Sequence, residues 1–96
     1  MPFFTFSKQF GKKLKKKARR DNKLKDDIAD ALEKFQQSPV PSSLSFQPVP
    51  GSPGRHYIWI PRRHGWRIIF RKVDQDNTSA YEAIDFGNHD IRREGN

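Results

Sequence analysis

In the stretch HGWRIIFRKV, residues 64–73, Arg67 and Arg71 sit among residues otherwise suited to a buried strand. Side chains of a strand alternate between its faces, so Trp66, Ile68 and Phe70 point one way and Arg67, Ile69 and Arg71 the other. If the first set faces a core, the arginines line an open and partly apolar surface. A guanidinium held there presents a rigid fork of donors that matches a phosphate, and it does not lose its proton. Other chemistries are closed off. There is no cysteine, which excludes a disulfide framework and a thiolate metal site, and the three histidines, His56, His64 and His89, are too scattered for a zinc motif.

The rest of the chain must position those arginines. Its 96 residues suit a single domain over 1–96, and a domain of that size needs a core built from few elements. Hydrophobic residues make up only 33% and charged residues 31%, but eight Phe, two Trp and two Tyr supply large apolar bodies, so a folded domain with a charged surface is expected. Nineteen Lys and Arg against eleven Asp and Glu leave a formal charge of +8, which favours a polyanionic partner, either nucleic acid or an acidic protein. The opening MPFFTFSKQF lacks a cationic region ahead of its apolar residues, and Ser7, Lys8 and Gln9 end that run early. A soluble, cytoplasmic protein without a membrane span is expected.

Residues Pro2 to Phe6 read as a strand, and Ser7 as the N-cap of a helix opening at Lys8. On that helix Phe10, Leu14 and Ala18 form a narrow apolar stripe. From Lys8 to Lys25 ten Lys or Arg face the single Asp21, a run that repels itself unless packing or a polyanion holds it. The chain breaks at Asp21 or Asn22, and Leu24, Ile28, Ala31, Leu32 and Phe35 then mark a second helix to about Gln37, giving a helical hairpin over 1–37 with the first strand. Residues 38–54 hold five of the seven prolines and read as an ordered crossing loop with a short edge strand around Leu44 and Phe46. The runs RHYIWIP and GWRIIFRKV read as a hairpin turning at Arg62 to Gly65, with the glycine left-handed. Asp74 to Ser79 reads as a polar turn, and AYEAIDFG completes a sheet over 55–90. The expected class is α+β, with a curved antiparallel sheet of three to four strands carrying the helices on one face.

This order of elements resembles the RelE/ParE superfamily of bacterial toxins from type II toxin–antitoxin pairs. FTFSKQFGKKLKK, GWRIIFRKV and GNHDIR carry the resemblance, which extends over nearly the whole chain. In the RNA-cleaving branch it implies a ribosome-dependent endoribonuclease that cuts mRNA without a metal or other cofactor. Arg67 falls where the family keeps an arginine for the scissile phosphate, and His89 where several members keep a histidine for acid–base work. His56 is the next catalytic candidate, with His64, Glu82 and Asp85 as further possible bases. Arg71, Arg62 and Arg63 are candidates for backbone phosphates, and Trp66 or Trp59 for stacking on a base. On the first helix Lys12, Lys13 and Lys16 are candidates for contact with ribosomal RNA or with an acidic segment of a cognate antitoxin, and such phosphate contacts weaken with salt.

The chain departs from the family pattern in two places. Ile58 and Ile60 stand where some members carry lysines, and Ile91 is followed by Arg92 where others end in an aromatic residue. Two other readings therefore stay open: a non-catalytic gyrase inhibitor of the ParE type, and a basic nucleic-acid-binding module without toxicity.

Overall fold

The computed structural model describes residues 3–37, 41–75 and 78–88. Its elements are β1 (Phe3–Phe6), α1 (Lys8–Ala18), α2 (Leu24–Phe35), a 3-10 turn (Ser42–Leu44), β2 (Gln47–Pro48), β3 (Arg55–Trp59), β4 (Trp66–Gln75) and β5 (Thr78–Asn88). The five strands form one sheet in the order β1-β5-β4-β3-β2. The class is α+β, as the order of periodicities predicts.

Three details differ from expectation. β1 joins the sheet as a fifth strand and runs parallel to β5, from Phe3 opposite Ala80 to Phe6 opposite Ala83, so the sheet is mixed. A parallel partner needs a long crossover, which the helices and the first hairpin supply. The short edge strand lies at Gln47–Pro48 and not around Leu44 and Phe46. Leu44 instead closes a 3-10 turn with its side chain fully buried, and Pro48 sits on a sheet edge, where its missing donor costs nothing. The polar segment expected as a turn is mostly strand, because Asp74 pairs with Ser79 and Gln75 with Thr78.

The first helix starts where its capping chemistry directs. Ser7 Oγ accepts from Phe10 N at 3.0 Å, while Ser7 N donates to Ala83 O at 2.9 Å, so one residue ends a strand contact and opens α1. Lys15, Lys16 and Lys17 occupy the last turn of α1, where the helix dipole favours cations and offsets part of their mutual repulsion. α2 carries Asp26 and Asp27 in its first turn and buries Leu24, Ile28, Ala31, Leu32 and Phe35.

The main core lies between the helices and one face of the sheet. Phe35 stacks on Phe70 with centroids 4.7 Å apart, and Phe10 meets Phe86 edge-on at 5.3 Å. Ile58, Ile60, Ile68 and Ala83 complete it, with Trp66 packed at its margin. On the other face Val49, Tyr57 and Ile69 form a small second cluster with Trp59 and Ile84. Ile84 reaches it through a β-bulge, since Ile69 faces Asp85 while Phe70 already faces Ala83.

Candidate nucleic-acid interface

The register of β3 on β4 decides which side chains share the face away from the helices. Trp59 lies opposite Arg67, Tyr57 opposite Ile69 and Arg55 opposite Arg71 on that open face, whereas Ile58–Ile68 and His56–Phe70 alternate with them on the helix side. Arg67 is therefore on the expected face, but it does not stand free in solvent. Its guanidinium carbon is 4.2 Å from the Trp59 ring centroid and 4.7 Å from that of Tyr57, and the residue is only 7% exposed. A guanidinium is weakly hydrated and stacks on aromatic faces, and two rings on the neighbouring strand pack against this one. Tyr57 donates its hydroxyl to Gln47 Oε1 at 3.2 Å, which ties that ring to β2. Charge held in so dry a setting acts more strongly on an arriving anion than the same charge in water.

Arg67 opens into a cavity of about 660 Å³ lined also by Trp59, Ile60, Arg62, Arg63, His64 and Gly65. The hairpin between β3 and β4 forms one wall. Ile60 N donates to Trp66 O at 2.9 Å across its neck, and Gly65 takes φ +81°, the left-handed glycine expected there. Arg62 is also left-handed, at φ +68°, a conformation that costs a non-glycine residue about 1–2 kcal/mol.

Carboxylates on α2 and on the turn before it hold this hairpin. Arg63 donates from Nε to Asp27 Oδ2 and from Nη1 and Nη2 to the two oxygens of Asp21, all at 2.8 Å. Arg62 donates to Asp27 Oδ1 at 3.0 Å and to Asp30 Oδ2 at 3.3 Å. The hydrogen bonds from Arg63 hold the Asp21 carboxyl below the usual carboxylate range. Burial would raise Asp27, but the hydrogen bonds from Arg62 and Arg63 outweigh it and hold that carboxyl low as well. In return the same bonds raise both guanidiniums. Arg63 thus has each guanidinium nitrogen hydrogen-bonded and a side chain only 13% exposed, whereas that of Arg62 remains 59% exposed.

The remaining candidates are distributed unevenly. His64 is exposed and lines the same cavity as Arg67. His56 lies on the helix side of β3, between Phe46 at 5.2 Å and Tyr81 at 5.7 Å, so the sheet separates it from Arg67. Burial, and then the charge of Lys72, push its imidazole below the ordinary value. Trp66 also packs on the helix side, under the Arg63 guanidinium at 5.2 Å, and it is Trp59 that shares a face with Arg67. Ile58 and Ile60 are buried in the helix-side core, so the positions where relatives carry lysines do not belong to the open face here. Arg71 is exposed and paired with Glu82 at 2.8 Å.

On α1, Lys12 and Lys16 are exposed, and Lys16 lines a concavity of about 500 Å³ with Lys17, Arg19 and Arg20. Lys13 donates to Asp85 Oδ1 at 2.6 Å and to Phe86 O at 2.7 Å, covering the stretch of β5 beyond its pairing with β1. β5 ends at Asn88, opposite Trp66. His89, Ile91 and Arg92 lie outside the described residues.

Sequence reasoning missed two parts of the site. Tyr57 could have been found, because the alternation in RHYIWIP already puts it on the face of Trp59. The carboxylates Asp21, Asp27 and Asp30 left no local sign of their partners, which are 32 to 42 residues away.

No family model matches the sequence, and no curated protein matches it either. Among solved structures, the crystal structure of YafQ from E. coli strain BL21(DE3) matches with a TM-score of 0.69, covering 95% of this chain and 97% of that one at 17% identity. A likeness at that identity establishes the fold, which is RelE-like.

Proposed function

From the fold shared with YafQ, we propose that this chain is the toxin of a type II toxin–antitoxin pair and acts as a ribosome-dependent, metal-independent endoribonuclease on mRNA. The resemblance of the sequence to the RelE/ParE toxins points the same way. The observation that carries the reading is Arg67, a desolvated guanidinium on the open face, sharing one cavity with His64.

Metal-free cleavage of RNA proceeds by attack of a 2'-hydroxyl oxygen on the adjacent phosphorus. The P–O5' bond breaks as the P–O2' bond forms, leaving a cyclic phosphate. A base takes the 2' proton, a cation stabilises the charge building on the phosphate oxygens, and an acid protonates the departing 5'-oxygen. Arg67 supplies the cation, and Trp59 a ring for a neighbouring base to stack on. His64 lines the cavity and His89 follows β5 in the chain, so these two are the acid–base candidates. The +8 charge suits both ribosomal RNA along α1 and an acidic antitoxin segment, and cytoplasmic action goes with both.

Inducible expression in a bacterial host, with primer extension on several transcripts, tests the reading. Growth arrest with new cuts inside translated regions, lost in Arg67→Ala, is the expected result. Arrest with intact transcripts would replace it with gyrase binding of the ParE type, and harmless expression with a non-toxic nucleic-acid-binding module.

A further inference from the structure

Besides Arg67, the open face carries a pair of cations that the cleavage chemistry does not use. Arg55 and Arg71 lie directly opposite each other on β3 and β4, and both are exposed. Like charges facing each other across an antiparallel pair destabilise it, so this position favours an anion. Glu82, opposite Arg71 on β5, bonds Arg71 Nη2 at 2.8 Å and offsets one of the two charges. Arg55 forms no ion pair among the described residues.

The ladder fixes how this pair stands relative to Arg67. Successive rows on the open face are Trp59–Arg67, Tyr57–Ile69 and Arg55–Arg71, so an apolar row separates two cationic ones. Arg67 and Arg71 are four residues apart on β4, about 13 Å at the rise of a strand. That exceeds the step between neighbouring phosphates of a single strand and suits a phosphate about two nucleotides along.

We propose that Arg55 and Arg71 form a second phosphate subsite for the single-stranded RNA whose scissile phosphate lies at Arg67. The proposal rests on the reading of Arg67 as a phosphate-binding residue. The strand crosses the floor of Tyr57 and Ile69, and its second phosphate competes with Glu82 for Arg71.

Fluorescence anisotropy with two oligoribonucleotides, a dinucleotide and a pentanucleotide carrying 2'-deoxy sugars to prevent cutting, tests this across a salt series. For Arg55→Ala/Arg71→Ala, pentanucleotide affinity falls about tenfold. The slope of log affinity against log salt shrinks by about 0.7, the value for one phosphate of a single strand. Dinucleotide binding, which reaches Arg67 alone, stays at the wild-type level, and Glu82→Gln tightens the pentanucleotide.

An unchanged pentanucleotide affinity, or equal losses at both lengths, overturns the subsite while leaving Arg67 in place. If Arg67→Ala binds both oligonucleotides as the wild type does, the functional reading fails, and the subsite with it. Should the alanine pair not fold, Arg55→Gln/Arg71→Gln removes the charge and keeps the side-chain bulk.

Discussion

Phe70 and Arg67 stand three residues apart on β4 and meet opposite worlds. Phe70 is fully buried against Phe35 on the helix side, while Arg67 is covered on the other face by two rings of one neighbouring strand. One face of the sheet closes over a core made by two helices. The other closes only over itself, with a cluster of Val49, Tyr57 and Ile69 too small to hide a long side chain from ligands. The difference teaches that burial alone does not separate structural from functional residues in this fold. What covers the residue does: a helix is permanent cover, whereas stacked rings beside an open cavity leave a charge within reach of an anion.

Substitution on the two faces tests that contrast most sharply. Phe70→Ala should cost about 3–5 kcal/mol in a denaturant titration, a large share of the roughly 5–15 kcal/mol that holds a domain together. Arg67→Ala should leave the melting midpoint near the wild type but lower cleavage about 10²–10³-fold in primer extension. Arg67→Lys should not restore it, because an ammonium has no planar fork and stacks poorly. An Arg67→Ala variant as unstable as Phe70→Ala would erase the distinction between the faces.

The hairpin tip sharpens the comparison from the side. Its arginines are bound to the carboxylates of α2 and the turn before it, so Asp27→Asn should lower stability by about 1.5–3 kcal/mol. Asp27 is held below its unfolded value of about 3.9, so the stability it contributes is complete above that pH and is lost as pH falls through the folded value. The variant should therefore show a flatter acid limb in pH-dependent melting.

The smallest effect belongs to His56. Its folded pKa lies below the unfolded value of about 6.5, so its contribution is complete above that pH and declines as pH falls beneath it. His56→Gln should remove that slope and leave cleavage at the wild-type level, since the sheet separates the residue from Arg67. A large loss of cleavage would place the chemistry on the helix side instead.

Much of this was legible in the chain. Helical spacing of apolar residues located both helices, Ser7 marked where the first begins, and alternation in HGWRIIFRKV sent Phe70 and Arg67 to opposite faces. These are local properties, set by backbone geometry within a few residues, so a sequence displays them directly. The parallel pairing of β1 with β5 was not legible, nor was the pairing of Trp59 with Arg67 that brings those two side chains together. Both depend on register between separate strands, and a shift of one residue reverses a side chain. The clamp of Arg62 and Arg63 on Asp21, Asp27 and Asp30 is likewise tertiary, because the sequence provides the charges but only the docking of the hairpin on α2 decides which of them meet. So the sequence alone determined that a basic α+β chain would present arginines on a strand. Only the tertiary structure decided that one of them would be dried between two rings, two others spent on carboxylates, and a further pair left facing solvent, since desolvation and ion pairing depend on neighbours that folding brings in from elsewhere in the chain.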